Sequence, residues 1–445
     1  MNSNYWNDQN SPVMPVSAPD FMPQAQLREL QLHRLKLLVQ YTYDRVELFR
    51  SRCIERGVRP EHIKKLEDIA TLPTFTKADL RDTYPFGLFA TPMSEIVRFH
   101  ASSGTTGKPI VVAYTQDDLR LWSECVQRAL AACGLGAGDI IQNAYGYGLF
   151  TGGLGLHQGA TDLGLTVVPV SGGNSERQIM LMRDFGATAV SCTPSYFLHL
   201  IDAAKEQGVD LRDLPLRVGV FGAEPWTDEM RRHIEEEAGI EAFDIYGLTE
   251  ICGPGVGIDC KEHCGLHIFE DHFYPEIIDP ETLEPLPDGE EGELLFTTLT
   301  KQAMPMIRYR TRDISVIDTE PCECGRRIRR IRRIHARTDD MLIIRGVNIF
   351  PSQIEAGLLS VDGALPHYAI IVSREDNLDK LEVHVEIPRE KFSDKISEIE
   401  KLRSQIAQSI QRIINIAVTV TLAEPNSLPR SEGKARRVTD LRGQK

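Results

Sequence analysis

Between residues 102 and 108 the chain reads Ser-Ser-Gly-Thr-Thr-Gly-Lys. Ser102, Ser103, Thr105 and Thr106 offer hydroxyl donors. Gly104 and Gly107 let the main chain approach a ligand closely, and Lys108 adds a point charge. Together these are the parts of a phosphate cradle. Pro109 follows the lysine, so the run departs from the GxxxxGK[ST] spacing of kinase-like NTPases. A second chemical feature is cysteine. Cys322-Glu323-Cys324-Gly325 is a short knuckle, and Cys260-Lys261-Glu262-His263-Cys264-Gly265-Leu266-His267 precedes it. Thiolates with an imidazole can close a tetrahedral zinc site, although neither segment alone has a finger spacing. Nine cysteines, an odd count in a long chain, disfavour a disulfide framework.

The elements that must carry these residues follow from the rest of the chain. At 445 residues, with 42% hydrophobic and 26% charged residues, the prior is two or three globular domains. A net charge of -14 argues against a general nucleic-acid binder. No apolar run reaches the length of a membrane span, and the first twenty residues lack a secretory pattern. A cytoplasmic protein without nucleic-acid or membrane partners is the expectation. Residues 1–24, rich in Asn, Pro and Ser, read as a flexible lead-in. Leu27, Leu30, Leu32, Leu35, Leu37 and Leu38 then predict a helix with a broad apolar face. From about 96 to 320, strand-like runs such as IVVAY, TVVPV and TAVSC alternate with amphipathic stretches, which predicts βαβ units and a mostly parallel sheet. Residues 276–316, with GELLFTTL behind the turn signal PDGEEG, read as antiparallel strands of a small β-barrel-like subdomain. LEVHVEI alternates like a strand, and Ile396, Ile399, Leu402, Ile406, Ile410 and Ile413 share one helical face. The fold class is therefore α/β, with a large N-terminal domain over 25–338 and a smaller, mobile α+β C-terminal domain over 339–445.

SSGTTGKP resembles the phosphate loop of the adenylate-forming superfamily, which includes acyl-CoA synthetases, peptide-synthetase adenylation domains and luciferases. Five further stretches resemble its motifs in order: GAEP (222–225), YGLTE (246–250), YRTRD (309–313), ARTDD (336–340) and PRSEGKARR (429–437). A narrower resemblance is to phenylacetate–CoA ligases. It is carried by NAYGYGLFTGGLGLH (143–157), GPGV (253–256), EDHFYPEI (270–277), LTKQAMPMIRYRTRD (299–313) and DDMLIIRGVNIFPSQIE (339–355).

The resemblance implies two half-reactions. A carboxylate and ATP give an acyl-adenylate and pyrophosphate, and the thiol of CoA then displaces AMP. It implies that Ser102 to Lys108 hold the β- and γ-phosphates, and that Gly222, Ala223, Glu224 and Pro225 line the adenine. Tyr246 offers adenine a flat face, with Gly247 beside it. Glu250, next to Thr249, is a hard oxygen ligand suited to Mg²⁺. Asp313 would take the ribose hydroxyls, or else pair with neighbouring Arg308, Arg310 or Arg312. Lys434 would neutralise charge between the α-phosphate and the attacking carboxylate. Arg337 and Asp339 mark a hinge, where Ala336 stands in place of a glycine common among relatives. Tyr145 and Phe150, with room left by Gly152 and Gly153, would wall a pocket for an aromatic acid.

Relatives with metal at the cysteine segments add to the zinc reading. The chosen ligands are Cys260, His267, Cys322 and Cys324, with Cys264 or His263 as substitutes, in a structural site. Arginines of the run RRIRRIRRIHAR (326–337) are expected to pair with carboxylates or to face a phosphate. The expected activity is an ATP-dependent aryl-acid–CoA ligase with phenylacetate as first substrate and a homodimer as its assembly. Another arylacetic, benzoic or small hydroxy acid, a module loading a carrier protein, and a non-catalytic nucleotide-binding protein are the competing readings.

Overall fold

In the computed structural model, residues 14–102, 109–345, 347–375, 378–391, 396–430 and 435–442 are described. Helices α1 (Gln24–Arg45), α2 (Glu47–Glu55) and α3 (Lys77–Asp82) come first. There follow β1 (Arg98–Ala101), β2 (Val111–Tyr114), α4 (Gln116–Ala132), β3 (Ile140–Asn143), α5 (Thr151–Leu163), β4 (Thr166–Val168), α6 (Ser175–Asp184) and β5 (Ala189–Cys192). Next are α7 (Pro194–Glu206), β6 (Val218–Gly222), α8 (Asp228–Ala238), β7 (Glu241–Leu248), β8 (Gly253–Ile258), β9 (Leu266–Ile268), β10 (Phe273–Ile278), β11 (Glu291–Thr298) and β12 (Tyr309–Asp318). The chain ends with β13 (Arg330–Ile331), β14 (Ala336–Arg337), β15 (Leu342–Ile344), β16 (Val347–Ile349), α9 (Pro351–Leu359), β17 (Tyr368–Glu375), β18 (Leu378–Glu386), α10 (Ile396–Ile414), β19 (Thr419–Ala423) and β20 (Val438–Asp440). Two units pack internally. One takes the chain up to Ser171 with Phe243–Thr311 and Ser315–Arg333; the other takes Gly172–Ala242, Arg312–Ile314 and the chain from Ile334 onward.

In the first unit, β3 and β4 pair in parallel, as the alternation of strands and helices predicts. Strands β10, β11, β12, β13, β9, β8 and β7 are successive neighbours. Off this path, β12 also pairs with β14, Asp313 opposite Arg337. Helix α4 starts in a reciprocal cap: the Thr115 hydroxyl accepts the Asp118 N–H (3.1 Å) and the Asp118 carboxylate accepts the Thr115 N–H (2.9 Å). It lies hard against α5 because Gly155 and Gly159 have no side chains. A Cβ at 155 would stand 2.0 Å from Trp122 Cζ2, and one at 159 would stand 2.4 Å from Val126.

The stretch expected to be a flexible lead-in is partly built into this unit. Residues 1–13 lie outside the described residues, but Pro15–Phe21 form a 3-10 helix. Asp20, fully buried, accepts from Arg128 (2.9 and 2.6 Å) and from Arg326 (3.1 Å). Arg128 also reaches Asp271 with both terminal nitrogens (3.1 and 2.9 Å) and lies 4.3 Å over the Phe269 ring. A buried guanidinium flanked by two carboxylates holds the segment where composition alone suggested disorder. Helix α1 buries Leu27, Leu35, Leu38 and Val39, while Leu37 faces water.

The second unit has two parts. Strands β5 and β6 pair in parallel and are flanked in sequence by α6, α7 and α8. Helices α7 and α8 begin at Thr193 and Thr227, whose hydroxyls accept the N–H of Tyr196 and Met230. The C-terminal α+β part has the strand order β19–β18–β17–β20. Its core combines Ile370, Val372, Val383 and Val385 of the sheet with Ile354 and Leu358 of α9 and Leu402, Ile406, Ile410 and Ile414 of α10. The buried stripe of α10 thus repeats every four residues and leaves Ile413 exposed, because Ile414 takes its expected place.

Candidate active site

The phosphate-loop candidate lies in sequence between β1 and β2, whose register runs from Arg98↔Tyr114 to Ala101↔Val111. Ser102 is tied across its base, giving its N–H to the Ile110 carbonyl at 3.0 Å. Ser103, Gly104, Thr105, Thr106, Gly107 and Lys108 lie outside the described residues. One strand end is pinned to the aromatic segment: the Ala101 N–H donates to Leu149 O (2.9 Å), and His100 Nδ1 is 3.0 Å from the same oxygen. Burial lowers the pKa of His100, which leaves it a neutral ring in this setting.

Tyr145 and Phe150 face each other with ring centroids 6.5 Å apart and planes at 53°. Gly152 sits at both rings: a Cβ there would be 2.6 Å from Phe150 Cε1 and 3.2 Å from Tyr145 Cγ. Gly153 abuts main chain, 2.4 Å from Gly146 O by the same measure, and its carbonyl accepts from Asn143 Nδ2 at 2.9 Å. Asn143 also donates to the Tyr147 hydroxyl (2.8 Å), which lies 3.1 Å from His157 Nδ1. Burial pushes the Tyr147 phenol up to about 12. Asn143, Tyr147 and His157 all lie within NAYGYGLFTGGLGLH (143–157), but nothing in that run by itself shows that they bond to one another.

Thr249 and Glu250 form the turn between β7 and β8, both largely buried. Thr249 Oγ1 lies 3.3 Å from Thr151 Oγ1 at the start of α5, and Lys77 Nζ lies 4.0 Å from Glu250 Oε1. Tyr246 packs at 5.9 Å from the Phe296 ring. Gly247 meets the returning strand so closely that a Cβ would be 1.8 Å from Gly253 O. Buried Lys301 donates to Ile251 O at 2.8 Å. Burial pushes its pKa down, against the pull of Cys252, Asp118 and Glu250.

The second unit holds the remaining nucleotide candidates. Gly222 ends β6, and Ala223 takes a left-handed φ of 71°. Glu224, expected beside adenine with Pro225, has both oxygens engaged by main chain: Oε1 accepts from Ser195 N (2.8 Å) and Oε2 from Ala435 N (2.9 Å). Lys434, the residue before Ala435, lies outside the described residues. Asp313 Oδ1 is 2.5 Å from Arg337 Nη1 across the β12–β14 pair, and Arg337 Nε reaches Asp339 at 3.0 Å. Burial acts to lower the Arg337 pKa, and Asp313, Asp339 and Asp340 outweigh it, so the guanidinium is held charged. Two of the neighbouring arginines are occupied elsewhere: Arg308 pairs with Glu276 (3.1 Å) and Arg310 with Glu293 (2.6 Å). Ser102, the Tyr145–Phe150 pair, Tyr246, Thr249 and Glu250 thus belong to one unit, and Gly222–Pro225, Asp313, Arg337 and Asp339 to the other.

The cysteine segments meet. Cys260, His267, Cys322 and Cys324 bring four ligand atoms within 4.8 Å of one another. Cys260 Sγ and Cys322 Sγ are 3.7 Å apart, close to the ~3.8 Å edge of a tetrahedron with Zn–S bonds of ~2.3 Å. His267 Nε2 lies 3.3 Å from Cys324 Sγ. The donor set and spacing fit zinc. His267 Nδ1 is buried without a hydrogen-bond partner among the described residues. Of the substitutes, Cys264 borders the cluster, its Sγ 3.4 Å from Cys322 Sγ while it also takes the Arg330 guanidinium, and His263 Nδ1 is 2.8 Å from Asp259. In the run from 326 to 337, Ile328, Ile331 and Ile334 point inward, while Arg326, Arg329, Arg330, Arg333 and Arg337 pair with Asp20, Glu270, Asp318, Asp244 and Asp313.

Comparison with known proteins identifies the family. Residues 81–303 match the family "AMP-binding enzyme" and residues 346–442 match "AMP-binding enzyme C-terminal domain". The chain is 51% identical over 435 residues to a phenylacetate-coenzyme A ligase of Thermus thermophilus, covering 95% of this chain and 98% of that one. The chain belongs to the phenylacetate–CoA ligase family. The phenylacetate-coenzyme A ligase of Escherichia coli is 50% identical, over 94% of this chain and 95% of its own length. That membership makes the chain an AMP-forming acid–thiol ligase of mixed α/β fold, using ATP and CoA. Among solved structures, 2-hydroxyisobutyryl-CoA ligase in the postadenylation state superimposes with a TM-score of 0.92 at 28% identity, covering 99% of this chain and 94% of that one. The same enzyme in an open conformation, with 2-HIB-AMP and CoA, scores 0.73 at 29% identity, covering 99% and 97%. Among the described residues, no helix is long and apolar enough to cross a membrane.

Proposed function

We propose that the chain is a phenylacetate–CoA ligase. It joins phenylacetate to ATP as an acyl-adenylate with loss of pyrophosphate, then passes the acyl group to CoA with loss of AMP. The observation that carries the substrate is 51% identity to an enzyme of that name over 95% of this chain, with Tyr145 and Phe150, packed on Gly152, as the candidate aromatic wall. An aryl ring held there gains dispersion and burial, and a ringless acid does not.

The residue roles belong to the same proposal. Ser102, Ser103, Gly104, Thr105, Thr106, Gly107 and Lys108 hold the terminal phosphates, and Gly222–Pro225 with Tyr246 and Gly247 border adenine. Asp313, oriented by Arg337, takes the ribose hydroxyls. Glu250 beside Thr249 holds Mg²⁺, whose charge offsets that gathering on the phosphates. Lys434 neutralises the approach of carboxylate to phosphorus, and Glu224 sets the register of its segment through the Ala435 N–H. Residues 339–445 move about Asp339 between the half-reactions; one relative captured in two states with different scores supports this. Cys260, His267, Cys322 and Cys324 hold a structural zinc that takes no part in the chemistry. The compartment proposed is the cytoplasm.

The test is acid-dependent pyrophosphate release, with and without CoA, across phenylacetate, benzoate, 2-hydroxyisobutyrate and acetate. Phenylacetate is expected to have the highest kcat/KM and to give a thioester with free CoA. Replacing Lys434 by alanine is expected to slow adenylation by ~100-fold or more, as for other lost transition-state contacts. Preference for a ringless acid would refute the substrate, and adenylate without thioester would point to carrier loading.

A further inference from the structure

The turn that carries Thr249 and Glu250 has no regular structure of its own, yet the carbonyls behind it are held by side chains from three other elements. Lys301, between β11 and β12, donates to Ile251 O at 2.8 Å. The Tyr114 hydroxyl, at the end of β2, donates to Cys252 O at 3.1 Å. Trp122 Nε1, in α4, donates to Pro254 O at 2.8 Å. The three donors form one stack. Lys301 Nζ sits 4.8 Å from the Tyr114 ring centroid, and the Tyr114 and Trp122 rings stack at 5.1 Å and 16°. His100, two residues before the phosphate loop, sets its edge against both rings at 5.6 Å. Gly253, at φ 105°, lies so close to the indole that a Cβ would be 2.3 Å from Trp122 Cζ2. Asp118 fixes the lysine's own loop by accepting the N–H of Gln302 (2.7 Å) and Ala303 (2.9 Å).

Lys301 is 3% exposed, and no carboxylate oxygen stands within 4.0 Å of its ammonium among the described residues. A buried ammonium whose direct partners are a carbonyl and a ring is a costly way to fill a core. An apolar residue would pack there without that cost. We propose that Lys301, through the Tyr114–Trp122 stack, is a positioning residue that fixes the Glu250 turn for the adenylation half-reaction. This rests on the reading of Glu250 as the Mg²⁺ ligand. The lysine does not touch substrate; it sets where the carboxylate stands when phosphates and metal arrive. Its loss should therefore raise the metal demand of adenylation and spare the transfer to CoA.

The experiment compares Lys301→Met, Tyr114→Phe and Glu250→Gln in the full-length protein. Two rates are read: pyrophosphate release against Mg²⁺ concentration, and thioester formation from supplied phenylacetyl-adenylate. Lys301→Met is expected to slow adenylation roughly tenfold, the usual scale of one charged hydrogen bond, and to raise half-saturating Mg²⁺ by about fivefold. Thioester formation should stay within about twofold. Tyr114→Phe keeps the ring and removes one donor, so it should shift the Mg²⁺ midpoint in the same direction by roughly threefold. It decides the question if Lys301→Met does not fold. Parallel loss of both rates, or a Mg²⁺ midpoint that moves in Glu250→Gln but in neither other variant, overturns the inference alone. A midpoint unmoved in Glu250→Gln overturns the reading of Glu250, and the inference falls with it.

Discussion

Replacing Gly152 by alanine puts a methyl between the two rings of the proposed acid cleft. On the present backbone that carbon stands 2.6 Å from Phe150 Cε1 and 3.2 Å from Tyr145 Cγ. Ordinary carbon contacts begin near 3.4 Å, so the Phe150 ring must retreat by about 0.8 Å and the Tyr145 ring by a few tenths. Tyr145 is 5% exposed and has little space to yield. Phe150 therefore moves, and the space for a flat ligand narrows. Overpacking of this kind costs about 1–3 kcal/mol. If the cost falls on the bound aryl ring, kcat/KM for phenylacetate drops by about 5- to 150-fold. A small ringless acid, which does not need the space, should lose less than about threefold. The assay is the acid-dependent pyrophosphate rate for phenylacetate and acetate in both proteins, with a thermal melt to show that the variant is folded. Equal losses for the two acids in a folded variant would refute the cleft as the ring's seat. So would an unchanged rate with phenylacetate.

Two further outcomes concern what holds the first unit together. Burial raises the Asp271 carboxyl pKa, but His272, Arg128 and Arg34 outweigh it and bring it from 3.8 down to about 2. A depressed carboxyl stabilises the fold above its unfolded pKa and loses that contribution as pH falls from about 4 to about 2, a change of roughly 2 kcal/mol. Unfolding followed by near-ultraviolet circular dichroism over that window should show this acid limb, and Asp271→Asn should flatten it; an unaltered limb would contradict the assignment. For the thiolate–imidazole cluster, purified protein should carry one zinc per chain. Its removal by a strong chelator should lower the melting temperature while the rate at 25 °C, measured before unfolding sets in, stays within about twofold. Less than half an equivalent of metal, or a rate that falls in step with zinc, would count against a structural site.

Reading residues in order went furthest where a function needs neighbours in sequence. The hydroxyl-rich SSGTTGK run, YGLTE and ARTDD are short because the roles proposed for them, phosphate binding, metal ligation and a pivot, each need a few consecutive residues. Periodicity placed α1 and the helix face of α10, though it erred at Leu37 and Ile413. At the edge of an apolar stripe, one residue's rotation decides between core and water, and only the partner surface sets that rotation. The expectation of a flexible lead-in departs from the structure at Pro15–Phe21 for a related reason. Asn, Pro and Ser signal disorder only when nothing waits to pair with them, and here Asp20 meets Arg128 and Arg326, 108 and 306 residues away.

Side-chain types and the resemblance of short motifs to a known family were enough to name the class of chemistry and to nominate a phosphate loop, an aromatic pair and four zinc-ligand candidates. Tertiary packing alone showed that those four converge within 4.8 Å with Cys264 at their border, and that Asp313 meets Arg337 while Arg308 and Arg310 pair with Glu276 and Glu293. It alone revealed Lys301, Tyr114 and Trp122 behind the Glu250 turn. The reason is physical. A hydrogen bond or a ligand set is decided by distances of a few ångströms between groups far apart along the chain, and no local pattern records which distant group will arrive.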